Sequence, residues 1–187
     1  MDVREAKKEL RKQIRERNAA LSPEYRAEAS RKICEKITAL PEYRNAETVF
    51  CFVGVRFEPD TSGIIEKALA DGKRVCVPLC TDDTTMVAIE IKDPEQDLVT
   101  SFYDLREPRE GLPKVEKDEI DFAVIPCVSC DHAGNRMGHG RGYYDRYLSG
   151  AEFEQAMICF EAITVPEGSI PTDQYDQPIE RVITDAE

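Results

Sequence analysis

The sequence predicts an α/β fold, a three-layer α/β/α arrangement with a mostly parallel central sheet, formed by residues 1–187 as a single domain. Three observations carry this expectation. Residues 48–54 (TVFCFVG) and 73–79 (KRVCVPL) are short β-branched runs separated by a segment of helical pattern. That order is a βαβ unit, whose crossover is right-handed and whose strands are parallel. Residues 120–126 (IDFAVIP) form a third run of the apolar kind found in buried strands. At 187 residues, 41% of them hydrophobic, the chain is long enough to bury one core and short for two.

The elements follow in order. Val3, Ala6, Leu10 and Ile14 recur at helical spacing, which places Lys7 and Arg11 together on another stripe of an opening helix. Ser22, Pro23 and Glu24 read as N-cap, first helical residue and first-turn acid of a second helix, which runs to about Leu40 and is closed by Pro41. The loop at 55–59 falls at the carboxyl end of the first strand, where α/β sheets keep their ligands. Asp60 or Thr61 caps the next helix, which ends near Gly72. Residues 85–91 predict a strand, and residues 92–117, rich in proline and charge, a long irregular connection of the kind that often lines a site. After the 120–126 strand come a short helix opened by Gly142 and ending at Leu148, a strand at 156–160 and a last one at 179–184.

Composition excludes several classes of protein. The seven cysteines are odd in number, and Cys51, Cys76 and Cys159 lie inside apolar runs, which fits reduced thiols better than a disulfide framework. The start, Met-Asp-Val-Arg-Glu, is unlike a signal peptide, and no apolar run has the length of a membrane span. The expectation is a cytoplasmic monomer with a small-molecule substrate and no membrane partner. A net charge of −12 argues against a nucleic-acid partner, because such proteins neutralise phosphates with Lys and Arg. The charge is uneven: residues 1–36 carry 11 Lys/Arg against 7 Asp/Glu, and the remaining chain 14 against 30. The basic segment reads either as a solvated helix face or as an anion-binding element.

Candidate chemistry concentrates at 131–145, where Gly138, Gly140 and Gly142 alternate with His139 and Arg141. Glycine lets backbone N–H groups approach an anion, a following helix start adds partial positive charge, and arginines supply forked donors to phosphate oxygens. Glycines that only turned the chain would not need Arg136 and Arg141 beside them. Nor would they need Asp145 one helical turn later, where a carboxylate can hold Mg²⁺ against the same phosphates. The loop is neither a Walker A motif nor a dinucleotide fingerprint.

Residues 134–148, Gly-Asn-Arg-Met-Gly-His-Gly-Arg-Gly-Tyr-Tyr-Asp-Arg-Tyr-Leu, resemble the signature of the 5-formyltetrahydrofolate cyclo-ligases (5,10-methenyltetrahydrofolate synthetases). Lys7-x-x-Leu-Arg11, Glu58-Pro-Asp-Thr61, Met86 and Glu107-Pro108 agree with the family in order. The resemblance implies a Rossmann-like fold of the NagB/RpiA/CoA-transferase kind. It also implies a ligase that uses ATP and Mg²⁺ to close 5-formyltetrahydrofolate to 5,10-methenyltetrahydrofolate, with ADP and phosphate as co-products. The formyl group is an amide, and phosphorylation of its oxygen makes the carbon electrophilic toward N10 and gives the oxygen a leaving group. Carried over residue by residue, the resemblance assigns ATP contacts to Lys7, Arg11, Arg136, Met137, Gly138 and His139, and to Gly140, Arg141, Gly142, Tyr143 and Tyr144. It gives Arg141 and Tyr143 catalytic roles, makes Asp145 a Mg²⁺ ligand with Glu180 as a second, and places Val53, Glu58 and Met86 in the folate site.

The chain departs from the family pattern at two places. Pro126-Cys-Val-Ser-Cys-Asp131 stands where the family has Pro-Gly-x-Ala-Phe-Asp, and no glutamine follows Phe160. These changes keep open an alternative: a relative that binds nucleotide or folate without closing the ring. Cys127 and Cys130 form a CxxC near His132, which raises a redox or zinc reading. A redox CxxC opens a helix, but Gly134 follows too soon, and the sequence offers no second pair of zinc ligands. The thiols therefore read as buried and inert at a strand end. His139 is expected to donate to a phosphate, and His132 to satisfy a turn.

Overall fold

The computed structural model describes residues 2–101 and 105–187. The chain opens with α1 (Val3–Ala19), α2 (Pro23–Ala39) and the short α3 (Pro41–Asn45). Asp2 makes no side-chain cap on α1, so docking of its apolar stripe, with Ile14 fully buried, holds that helix in place. Ser22 caps α2 by accepting from the Tyr25 N–H at 3.1 Å. Pro41 closes α2 as expected, and it also opens α3, because a residue without an N–H costs nothing at a first helical position.

Next come β1 (Thr48–Cys51), α4 (Ser62–Ala70), β2 (Arg74–Cys80) and β3 (Met86–Ile91), followed by α5 (Pro94–Asp97), β4 (Leu98–Thr100), β5 (Arg106–Pro108) and β6 (Lys114–Val115). The chain ends through β7 (Phe122–Ile125), β8 (Ser129–Cys130), β9 (Arg136–Met137), α6 (Tyr143–Leu148), β10 (Glu154–Ile158) and β11 (Val182–Ile183). Seven strands form the central sheet in the order β11-β10-β7-β1-β2-β3-β6. The run from β11 to β2 is parallel, as expected of βαβ connections, whereas β3 and β6 are antiparallel. Asp82 explains the reversal after β2: its carboxylate accepts the N–H groups of Thr84 at 2.7 Å and Thr85 at 2.8 Å, closing a tight turn.

Two expectations need correction. The 92–117 connection is not irregular throughout: among the described residues it holds α5, the β4–β5 hairpin and the edge strand β6. Buried Asp97 organises it by accepting from Lys92 N–H at 2.8 Å and pairing with Arg109 at 3.1 Å; residues 102–104 of this stretch lie outside the described residues. The first strand stops at Cys51, not Gly54. Beyond it the Phe52 carbonyl and the Gly54 N–H both bond the Thr61 hydroxyl, at 2.7 and 2.9 Å, so the backbone leaves the ladder.

Helices flank the sheet. Phe50 of β1 packs on Tyr144 and Tyr147 of α6, with ring centroids 6.4 and 5.5 Å apart, while Tyr43 of α3 meets Phe122 of β7 edge-on at 6.2 Å. Burial of such rings is the dominant stabilising term. β1 hands the chain to β2 on one side, while β7 hands it to β10 on the other. The loops after β1 and β7 therefore diverge at the same carboxyl edge and leave a crevice between them. No helix among the described residues is long and apolar enough to cross a membrane.

Candidate active site

The segment after β7 builds one wall of that crevice. β8 and β9 pair as a small hairpin, with Cys130 opposite Arg136, so the glycine-rich segment starts from an ordered turn and not from a free loop. Asp131, fully buried, organises the turn. Its carboxylate accepts from the N–H groups of Ala133, Asn135 and Gly168 at 3.1, 2.9 and 3.1 Å and from the Asn135 side chain at 2.8 Å. The hairpin aims Arg136 inward. Its side chain is 3% exposed, donates to Asp145 Oδ1 at 2.7 Å and lies over the Tyr144 ring at 5.7 Å. Its Nε has no partner among the described residues. Burial pushes the Tyr144 phenol well above its usual range, so it stays protonated.

α1 supplies the facing wall. Arg11 Nε donates to the Gly138 carbonyl at 2.8 Å, and Gly140, at φ +103°, brings its backbone under the same guanidinium, 3.5 Å from where a Cβ would stand. Burial, and then repulsion from Arg15, pulls Arg11 below its ordinary pKa. Lys7 Nζ contacts both carboxylate oxygens of Asp176, at 2.7 and 2.6 Å, and reaches Asp173 at 3.5 Å.

Residues 173–177 form a strap over the cleft. Asp173 N–H donates to Asp176 at 2.7 Å, Tyr175 N–H to Asp173 at 2.9 Å, and Gln177 N–H to Asp145 at 3.3 Å. The enclosed cleft is about 800 Å³ and is lined by six Lys/Arg (Arg4, Lys7, Arg11, Arg136, Arg141, Arg146) against three Asp. In a chain of net charge −12 this excess makes the cleft a face suited to a polyanion. α6 is only six residues long, so little of that potential comes from a helix dipole; the guanidinium groups provide it.

All the residues to which the resemblance gives ATP contacts line this cleft, as does Asp145. Arg141 leans out at 70% exposure, 3.7 Å from Asp83, and Tyr143 donates to the Asp82 carbonyl at 2.7 Å. His139 Nε2 lies 2.9 Å from Glu58, whose other oxygen accepts from Val55 N–H at 3.1 Å. Glu58 thus ties the loop after β1 to the glycine-rich segment. Val53 sits half-buried against the core, and Met86 lines a separate hollow of about 340 Å³ that shares Tyr143 and Arg146 with the main cleft. His132 contacts Glu161 at 3.2 Å, a tertiary pairing in place of the expected turn.

Glu180 does not line the cleft that holds Asp145. Ile179 is buried at 2% exposure, the chain bends at Glu180, and the Glu180 side chain is exposed. Asp173 and Asp176 share the cleft with Asp145 instead. Sequence reasoning missed both. Their only signal was a polar Asp-x-x-Asp between Pro171 and Pro178, which reads as a turn and does not say what the turn covers. Cys127 and Cys130 are buried as expected, and Cys159 joins them in a trio that spacing could not foretell.

A glycine loop clasped by guanidinium groups, with carboxylates in the same cleft at the switch point of a parallel sheet, defines an α/β protein with an anion-binding site. Within that class the chain belongs to the 5-formyltetrahydrofolate cyclo-ligase family, a family of enzymes, whose sequence model matches residues 3–185. It is similar to the 5-formyltetrahydrofolate cyclo-ligase of Mus musculus, 28% identical over 193 residues that cover 97% of this chain and 94% of that one. It is also similar to the 5-formyltetrahydrofolate cyclo-ligase of Escherichia coli K12, 27% identical over 174 residues, covering 91% and 96%. The solved structure of Aquifex aeolicus 5,10-methenyltetrahydrofolate synthetase superposes with a TM-score of 0.84 at 26% identity, covering 97% of this chain and 90% of that one.

Proposed function

We propose that the protein closes 5-formyltetrahydrofolate to 5,10-methenyltetrahydrofolate at the expense of ATP, with Mg²⁺, releasing ADP and phosphate. The observation that carries this reading is the basic cleft in which Arg11 grips the glycine loop at Gly138 while Arg136 is buried against Asp145. Phosphoryl transfer asks the protein mainly for positioning and charge stabilisation. The donors present fit a triphosphate: Arg136 keeps an unpartnered Nε, Arg141 is almost unpaired, and the cleft volume lies within the range of small-molecule sites. Hard carboxylate oxygens on Asp145 and Asp176, which line the same cleft, fit Mg²⁺, and these two residues would hold it. Bound there, Mg²⁺ would offset phosphate charge. Lys7 and Arg136, now paired with those carboxylates, would then turn to phosphate oxygens.

The test mixes the protein with 5-formyltetrahydrofolate, Mg²⁺ and ATP and follows the near-ultraviolet absorbance of the methenyl product. Growth of that band only when ATP is present is the expected result; no growth under any nucleotide condition removes the ring-closure reading and leaves the non-catalytic alternative. Seven free cysteines support a reducing compartment, and the proposal places the protein in the cytoplasm.

Two variants test residue roles. Arg141→Ala is expected to lower turnover by roughly 10²-fold, the loss typical of one electrostatic stabiliser, with little change in Tm because the side chain is 70% exposed. Near-wild-type kinetics would remove Arg141 from the reaction. Glu58 stands at the carboxyl end of β1 with its side chain 9% exposed, and a carboxylate there can accept from the paired donors of a pterin edge. Glu58→Gln is expected to raise the folate KM about tenfold while ATP KM moves less than about twofold. An unchanged folate KM would refute the role.

A further inference from the structure

The chemistry proposed above leaves one cluster unused. The Sγ atoms of Cys127, Cys130 and Cys159 all lie within 4.8 Å of one another, and the three residues are 5%, 0% and 1% exposed. Parallel pairing of β7 with β10, with Ile125 opposite Met157, brings the two strand exits side by side and delivers Cys159 to the CxxC that follows β7.

The spacing suits a metal ion. Three sulfurs bonded at about 2.3 Å to one ion in a trigonal plane stand about 4 Å apart, so the trio closes on an ion with sulfur movements of less than about 1 Å. Among the described residues no histidine nitrogen or carboxylate oxygen joins the three at that range. His132, the nearest histidine in sequence, is turned to Glu161. Structural zinc takes four ligands, and iron–sulfur clusters likewise, whereas soft thiolate donors in a dry three-coordinate set favour copper(I).

We propose that Cys127, Cys130 and Cys159 form a buried trigonal thiolate site that takes one copper(I) ion per chain. Each ligating thiol gives its proton to solvent and its sulfur lone pair to the ion. Copper enters already monovalent, so no electron moves. The site is independent of the ring-closure reading, because none of its three ligands lines the basic cleft.

The test is an anaerobic titration of the reduced, metal-stripped chain with copper(I), in competition with a chromophoric copper(I) chelator, followed by X-ray absorption at the copper edge. One retained equivalent with three sulfur neighbours at about 2.3 Å is the expected result. Cys159→Ala is expected to weaken retention at least tenfold, with a far-ultraviolet circular dichroism check of its fold. Cys34→Ser and Cys80→Ser, at the more accessible thiols, should retain copper like wild type. Two-sulfur coordination, a nitrogen or oxygen neighbour at copper, or retention that disappears with Cys80 and survives loss of Cys159 would each overturn the proposal. The absorption measurement on the unmodified chain decides the matter even if Cys159→Ala fails to fold.

Discussion

Asp145→Asn is expected to cut turnover by roughly 10²-fold or more and to destabilise the fold, two effects of one carboxylate. Asp145 is the counter-charge of Arg136, whose side chain is 3% exposed, and it also accepts the Gln177 N–H that fastens the 173–177 strap. Breaking a buried pair from one side costs about 3–5 kcal/mol; Asp145 at 22% exposure and an amide that still accepts one hydrogen bond put this case nearer about 2 kcal/mol. For a chain of this size that is a fall in Tm of about 4–8 °C. Thermal melts and steady-state kinetics over a Mg²⁺ series separate the two consequences. If Asp145 holds the ion, activity lost to the variant is partly recovered at high Mg²⁺ while Tm stays low. A variant with wild-type turnover at ordinary Mg²⁺ would exclude Asp145 from the metal site.

The second large effect belongs to a residue that touches no ligand. Gly134 has φ +90°, and a Cβ there would stand 2.5 Å from the Ile179 carbonyl oxygen, a contact between two backbones that neither side chain can relieve. Gly134 also accepts the Ile179 N–H at 2.9 Å, so the two segments are bonded where the clash would fall. Gly134→Ala combines about 1–2 kcal/mol for the left-handed conformation with about 1–3 kcal/mol of overpacking. The expected loss is about 3–4 kcal/mol, a fall in Tm of about 10 °C. Because Ile179 anchors the strap that carries Asp173 and Asp176, nucleotide affinity should fall with it. Gly72→Ala supplies the comparison: its φ is +76°, but nothing lies within 4 Å of the added methyl, so only the conformational part is lost. Equal melting temperatures for the two variants would show that the contact with Ile179 is not what the glycine protects.

Much of the fold was legible because its signals are local. The apolar runs at β1 and β7 are buried throughout, as is the Val75–Val77 centre of β2, and they read as buried from hydropathy alone. Ser22, Pro23 and Pro41 mark helix ends through properties of their own backbone. The glycine segment was legible as well, because alternating glycine with arginine has few structural uses. The errors share another origin. Asp82 reverses the chain into an antiparallel β3, and Thr61 draws the end of β1 out of its ladder, each through side-chain hydrogen bonds that periodicity does not register.

The sequence by itself determined the parallel α/β core, the phosphate-directed loop from Arg136 to Asp145 and the cationic stripe of Lys7 and Arg11. Those features depend on residues close together in the chain. Only the tertiary structure decided that Asp176 and not Glu180 lines the cleft with Asp145, that Glu58 is bound to His139, and that Cys159 meets Cys127 and Cys130. Each of these juxtapositions joins segments far apart in the chain, brought together by strand order and by which alternate side chain turns into the core. Packing of the whole sheet sets that choice, and no local pattern of residues encodes it.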